Sequence, residues 1–317
     1  MESRKLGRSG ISVSPLGLGT ARMAGLGFRE DIVPPETSLE RRDAVRQIQA
    51  AVDLGVTLFD TAENYGQGLS ERILGEALRG RRDGIVVVTK FGEDPMPEQD
   101  DPLALDAAAI QRKCEGSLRR LGAECLDVYL LHRRDYSLER APELMEALED
   151  LVRAGKIRWY GWSTDDVERA KLFAQGEHCT AVEHRLNVFN DNPEMLELCR
   201  EQNLASLNRT PLIMGMLTGR WSAQTKLEEG DPRAKWFEYE GFRKALACAQ
   251  EIEPNMTAGG RSVVQGALGW IWARSPLAIP VPGFRNMEQM QELAQARQFG
   301  PLSPEAMQAI AERVASL

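Results

Sequence analysis

The sequence predicts an α/β chain closed into a (β/α)8 (TIM) barrel, with an N-terminal β-hairpin and an extra C-terminal helix. Short apolar runs alternate with longer helical patterns over nearly the whole chain. Eight such strand–helix units follow one another without a break in composition, and right-handed βαβ crossovers repeated in this way close on themselves. The length, 317 residues, suits one barrel, so residues 1–317 read as a single domain.

The elements follow in order. Residues 4–13 form a small hairpin turning at Ser9-Gly10, and 15–19 (PLGLG) are the first candidate barrel strand. A loop over 21–38 carries Gly25, Gly27, Pro34 and Pro35. Over 39–54, Ala44, Ile48, Ala51 and Val52 share a helix face, and Gly55 stops it. Strand 57–60 follows at once, then Ser70 as the expected N-cap of a helix over 71–79. Residues 85–90 (IVVVTK) are β-branched, as befits a parallel strand buried on both faces.

A Pro-, Asp- and Glu-rich loop leads to a helix over 105–121, strand 126–132 and a helix over 138–154 ended by Gly155. Strand 157–163 precedes a helix that Asp165 is expected to cap and that runs to Phe173. Residues 180–183 and 193–202 give the sixth strand and helix, with proline in the helix's first turn. Residues 204–208 are the seventh strand, 218–260 an expected irregular segment, 262–274 a helix, and 277–281 the eighth strand. Helices over 286–296 and 303–316 end the chain. The alternative, a doubly wound open sheet, marks its nucleotide site with G-x-G-x-x-G after the first strand. Here Gly17-Leu18-Gly19-Thr20-Ala21-Arg22 lacks the third glycine and opens no helix.

Composition narrows the function. Hydrophobic residues make up 43%, enough for a sizeable core. A net charge of -8 argues against a nucleic-acid surface. The polar N-terminus has no signal-peptide core, and no apolar run approaches a membrane span. Cys114, Cys125, Cys179, Cys199 and Cys248 are odd in number and widely spaced, which suits reduced thiols in a cytoplasm. The expected partner is a small molecule.

In such barrels chemistry sits where the strands end. The second strand ends at Asp60, the third at Lys90, the fourth at His132, the fifth at Ser163 and the sixth at Glu183. Asp60, Lys90 and His132 therefore converge, with Tyr65 folding over them from its loop. An unpaired ammonium at the end of an apolar strand is costly, so Asp60 is the expected counter-ion of Lys90. A lysine beside a phenol lowers its pKa from about 10, which would suit Tyr65 to protonate a carbonyl oxygen. Taken singly, Asp60 and Tyr65 are ordinary turn residues, Lys90 a solvated strand end and His132 a rim histidine; the joint pattern is what points to chemistry.

These residues carry a resemblance. The segment Phe59 to Gly66 (FDTAENYG), with a lysine and a histidine ending the next two strands, resembles the aldo-keto reductase family. So do LGRSGISVSPLGLGT, GLSERILGEAL, LDVYLLH, PLIMGMLTGR and IPVPGFRNMEQ, in that order. The resemblance implies an NADP(H)-dependent oxidoreductase that reduces aldehydes and ketones, with a catalytic tetrad of Asp60, Tyr65, Lys90 and His132. It implies cofactor contacts at Thr20, Asp60, Ser163, Thr164, Glu183, Arg209, Pro211, Leu212, Arg220, Gly283, Arg285, Gln289 and Glu292. Gly283 admits close approach of a phosphate, Asn286 opens a helix N-terminus, and Arg285 and Arg220 suit a 2′-phosphate.

The sequence departs from the family's pattern in four places. Thr164 stands for an asparagine, Glu183 for a glutamine that touches the nicotinamide amide, Arg209 for a stacking aromatic, and Leu293 for an asparagine near adenine. Glu183 is expected to face Arg209 or Lys90, with His184 pointing the other way. Loops over 21–38, 91–102 and 218–260 are expected to shape the substrate pocket, with Met23, Phe28, Trp162, Trp221 and Trp236 as candidate lining and Trp162 foremost. Trp270 and Trp272 lie in a helix, at least one as core. Two other readings stand beside the reductase. One is a cofactor-sensing regulatory subunit with little turnover. The other is a metal-dependent barrel enzyme, for which only His132, His178 and His184 exist as histidines and no ligand cluster appears.

Overall fold

The computed structural model describes residues 2–24, 39–93, 105–227 and 231–317. Phe28, Gly25, Gly27, Pro34 and Pro35, and most of the 91–102 loop, lie outside them. The hairpin strands β1 (Arg4–Lys5) and β2 (Ser12–Val13) are antiparallel and turn through a left-handed Gly10. Eight parallel strands follow: β3 (Leu18–Gly19), β4 (Leu58–Asp60), β5 (Val86–Phe91), β6 (Leu126–Leu131), β7 (Ile157–Ser163), β8 (Cys179–Arg185), β9 (Ala205–Arg209) and β10 (Ala278–Pro280). They are neighbours in chain order, and the ends join. Gly17 and Gly19 donate their amides to the carbonyls of Pro280 and Pro282 at 3.0 and 2.9 Å, so the sheet closes. The seam leaves no room for side chains: a Cβ on Gly17 would lie 2.3 Å from Leu58.

The intervening helices are α1 (Leu39–Asp53), α2 (Leu69–Ala77), α3 (Ala107–Leu121), α4 (Ala141–Arg153), α5 (Val167–Phe173) and α6 (Pro193–Glu201). After β9 come α7 (Glu240–Glu251), α8 (Glu253–Met256) and α9 (Val263–Arg274), and α10 (Met287–Gln295) and α11 (Pro304–Val314) end the chain. No helix among the described residues is long and apolar enough to cross a membrane.

Three local expectations are corrected. Ser70 is not an N-cap: α2 begins two residues earlier than expected, at Leu69 behind a left-handed Gly68, and the buried Ser70 hydroxyl bonds Thr20 and Thr61. The cap of α5 is Asp166, whose side chain accepts from Arg169 N, while Asp165 accepts from Arg185 N and pairs with Arg209. The 218–260 segment is not irregular throughout. It holds α7, α8 and a 3-10 turn at Pro232–Glu238, which bury an apolar face of Leu246, Ile252 and Met256 against α9.

Strand alternation sorts the side chains. Leu58, Val86, Val88, Val128, Leu130, Ala181, Ala205, Leu207, Ile279 and Val281 fill the barrel's interior, and Leu6 and Val13 of the hairpin join the same cluster. Phe59, Phe91, Tyr129, Tyr160, Trp162 and Val182 point outward into the layer beneath the helices. Continued to the strand ends, the inward file of each strand arrives at Asp60, Lys90, His132, Ser163, Glu183, Arg209 and Gly283.

Candidate active site

The four residues expected to converge do so. Lys90 is fully buried at the end of its inward file. Its ammonium donates to Asp60 Oδ2 at 2.7 Å, to the Thr61 carbonyl at 2.9 Å and to the Tyr65 hydroxyl at 3.4 Å. Tyr65 reaches this point because its loop clings to the end of β5, Thr61 N donating to Val88 O and Glu63 N to Lys90 O. The chain then turns back through three left-handed residues, Gly66, Gln67 and Gly68, into α2. Side-chain-bearing residues resist that run, and glycine supplies two of its three positions. The His132 ring stands edge-on to Tyr65 with centroids 5.9 Å apart, and its Nδ1 is 3.2 Å from Glu93 Oε2.

Electrostatics in this cluster are set by burial. Burial works against the Lys90 ammonium, but Asp60 and Glu183 outweigh it and hold its pKa above the ordinary value. Burial, then Glu183, push the Asp60 carboxyl up to about 7 against the pull of Lys90. His132 is held well below the usual imidazole range by burial and by Lys90, Arg134 and Arg209, so it is neutral at neutral pH. Tyr65 corrects an expectation. Its ring opens partly onto the cavity, yet burial of its hydroxyl pushes the phenol up to about 12 rather than down, with Lys90 offsetting only part of the rise.

A cavity of about 590 Å³ opens from this cluster. Of the cofactor contacts expected from the sequence, Asp60, Glu183, Arg209, Pro211, Leu212, Arg220, Gly283, Arg285, Gln289 and Glu292 line it, as does Leu293. Thr20, Ser163 and Thr164 do not. Thr20 donates its hydroxyl to the Asp60 carbonyl, and Thr164 accepts from Asp166 N in the turn before α5. Ser163 is fully buried beside Glu183, with which it is in register, and its hydroxyl has no hydrogen-bond partner.

At the far end the cavity is cationic. Arg22, Arg220, Lys226, Arg233 and Arg285 line it, with Asp231 among them. Burial and the neighbouring Arg285 and Arg233 push the Arg22 guanidinium down to about 10, against the pull of Asp231. Asn286 caps α10 there as expected, its Oδ1 accepting from Gln289 N, while Gln289 Oε1 accepts from Arg285 N. Arg22, Lys226, Asp231 and Arg233 were not foreseen. Arg22 sits two residues past Thr20, within sight of the motif; the other three lie in the segment read as irregular, where no periodicity marked them.

Trp162 is a second correction. It is fully buried on the outward file, packs on Phe173 and donates to Arg133 O, so it does not line the cavity. Trp221 does line it, under Arg233 and beside Phe237, whereas Trp236 packs on Phe242 behind. Met23 packs against the helix-layer core, and Trp270 and Trp272 are both buried. His184 points away from Glu183, its Nε2 2.7 Å from Ser206. Arg209 lines the cavity and pairs with Asp165.

A sequence model of the aldo/keto reductase family matches residues 15–315. The chain is 34% identical over 253 residues to the aldo-keto reductase yakc [NADP(+)] of Schizosaccharomyces pombe, covering 76% of this chain and 74% of the relative. It is 29% identical to the aldo-keto reductase YhdN of Bacillus subtilis, over 93% and 88% of the two chains. Among solved structures it resembles the glycerol dehydrogenase AKR11B4 from Gluconobacter oxydans, with a TM-score of 0.84 and 28% identity over 99% and 95% of the chains. It also resembles an aldo/keto reductase from Klebsiella pneumoniae in complex with NADP and acetate, with a TM-score of 0.73 and 29% identity over 98% and 95%.

Proposed function

This chain belongs to the aldo-keto reductase family, and we propose that it is an NADP(H)-dependent oxidoreductase interconverting small carbonyl compounds and alcohols, with Tyr65 moving the proton. The observation that carries this reading is the Lys90 ammonium, fully buried and shared between Asp60 and the Tyr65 hydroxyl at the mouth of the cavity.

The residues present fit the cofactor. Glu183 Oε2, which lines the cavity, is buried without a hydrogen-bond partner, and an amide brought to it would satisfy it; the unpartnered Ser163 Oγ lies in register beside it, just behind the lining. The cationic end, where Arg22, Arg220 and Arg285 meet the N-terminus of α10, suits phosphates. Gly283 leaves the approach open: a Cβ there would meet nothing nearer than 3.7 Å.

Bound NADPH supplies the hydride that reduces the carbonyl carbon. The chain's own residues handle the oxygen. Tyr65 stays protonated across the neutral range, so it delivers a proton only as charge develops on the carbonyl oxygen. Lys90, 3.4 Å from the hydroxyl, then stabilises the phenolate that is left. Asp60 holds Lys90 in place, and the neutral His132 ring bounds the oxygen's seat on the other side. In the reverse direction Tyr65 first gives up its own proton to solvent, and the phenolate held by Lys90 then takes the alcohol's proton.

The test is oxidation of NADPH with a panel of aldehydes and ketones, comparing wild type with Tyr65→Phe. Turnover is expected to fall by about a hundredfold or more; equal turnover in the two proteins would remove Tyr65 from the proposed role.

A further inference from the structure

We infer that Glu183 makes the cavity discriminate the redox state of its nicotinamide cofactor, favouring the oxidised, cationic ring over the neutral reduced one; this rests on the cofactor reading above. Glu183 is 2% exposed, lines the cavity, and leaves Oε2 without a hydrogen bond. Lys90 Nζ is 3.6 Å away. An ammonium has three N–H groups, and those of Lys90 already serve Asp60 at 2.7 Å, the Thr61 carbonyl at 2.9 Å and Tyr65 at 3.4 Å. Among the described residues, the other cation that acts on Glu183, Arg209, is paired with Asp165. His132 is neutral and the Tyr65 phenol uncharged.

The wall beside Tyr65 therefore sets two carboxylates, Asp60 and Glu183, against one ammonium. Above neutral pH it carries a surplus negative charge that faces the cavity. With a neutral side chain at 183, Asp60 and Lys90 would balance. A buried carboxylate oxygen lacking a donor is costly, and a ligand bringing positive charge to it relieves that cost. Only the oxidised ring carries such a charge, and hydride transfer to or from a substrate held by Tyr65 requires the ring at this end. The phosphate-bearing remainder is the same in both redox states, so its contacts with Arg22, Arg220 and Arg285 cancel in the comparison. A carboxylate at 183 thus tilts the bound equilibrium toward the oxidised cofactor and the alcohol, the product side of carbonyl reduction.

The experiment is calorimetric titration of the cofactor-free protein with NADP+ and, separately, NADPH at about pH 8, where Asp60 is ionised. Wild type, Glu183→Gln and Glu183→Asp are compared. Wild type is expected to bind NADP+ at least as tightly as NADPH. The ratio of the NADP+ to the NADPH dissociation constant is expected to rise about tenfold in Glu183→Gln, and much less in Glu183→Asp, which keeps the charge. An unchanged ratio in Glu183→Gln, with both forms still binding, overturns the inference and leaves the cofactor reading intact. So does a wild type that prefers NADPH, a measurement independent of whether the glutamine variant folds. Failure of wild type to bind either form overturns the cofactor reading and this inference together.

Discussion

The Lys90 ammonium donates to the Tyr65 hydroxyl at 3.4 Å across an otherwise buried wall. In the proposed mechanism this contact couples charge to proton transfer, because Lys90 favours the phenolate that burial disfavours. Lys90→Met keeps the chain's volume and removes the charge. It is expected to lower kcat by at least about a hundredfold. It also leaves Asp60 and Glu183 facing each other without a cation, so a thermal melt near neutral pH should show clear destabilisation. Wild-type kcat in Lys90→Met would refute the coupling.

The cationic end, proposed to hold the cofactor's phosphates, makes a separate prediction about cofactor choice. Arg285→Ala is expected to raise the NADPH dissociation constant about ten- to hundredfold, as loss of a charged hydrogen bond does. NADH, lacking the 2′-phosphate, should be affected far less. Fluorescence titration with both cofactors checks this, and equal weakening of the two would place Arg285 away from the 2′-phosphate.

Stability at acid pH depends on buried neutral histidines. Burial holds His184 down to about 4, below its ordinary value. Between that value and about 6.5 the unfolded chain binds a proton that the folded chain does not, so His184 adds stability as pH rises through this window. Asp60, raised to about 7, works the opposite way there, its contribution fading as pH rises. The histidine term is isolated by difference. His184→Gln, which can still hydrogen-bond Ser206, should flatten the wild-type slope of unfolding free energy against pH between about 4 and 6.5. Parallel urea-denaturation curves for the two proteins across that range would show that His184 is not the source.

Trp162 tests the distinction between packing and pocket. It fills the layer between β7 and α5 against Phe173. Trp162→Phe is expected to destabilise by about 1–3 kcal/mol, since it shrinks the ring and loses the bond to Arg133 O. KM values across a carbonyl panel should stay as in wild type. A change in substrate preference at unchanged stability would put Trp162 back at the pocket.

The barrel and the convergence of Asp60, Tyr65, Lys90 and His132 were legible in the sequence because both depend on short-range periodicity. Alternation along each strand puts every second residue inside, and parallel neighbours in chain order bring successive strand ends together. Asp60, Lys90 and His132 needed no more than that, and Tyr65 only the glycine-bracketed turn after β4. The same rule, applied one residue further along β7, assigns Trp162 to the outside. Tertiary structure alone decided what depends on distant partners. The cationic end of the cavity draws Arg22, Lys226, Asp231, Arg233 and Arg285 from three separate segments, and no local pattern joins them. The sign of the Tyr65 shift also lay beyond the sequence. Which residue sits near Lys90 follows from strand order, but whether its charge outweighs desolvation depends on how deeply the hydroxyl is buried and on Glu183 standing alongside.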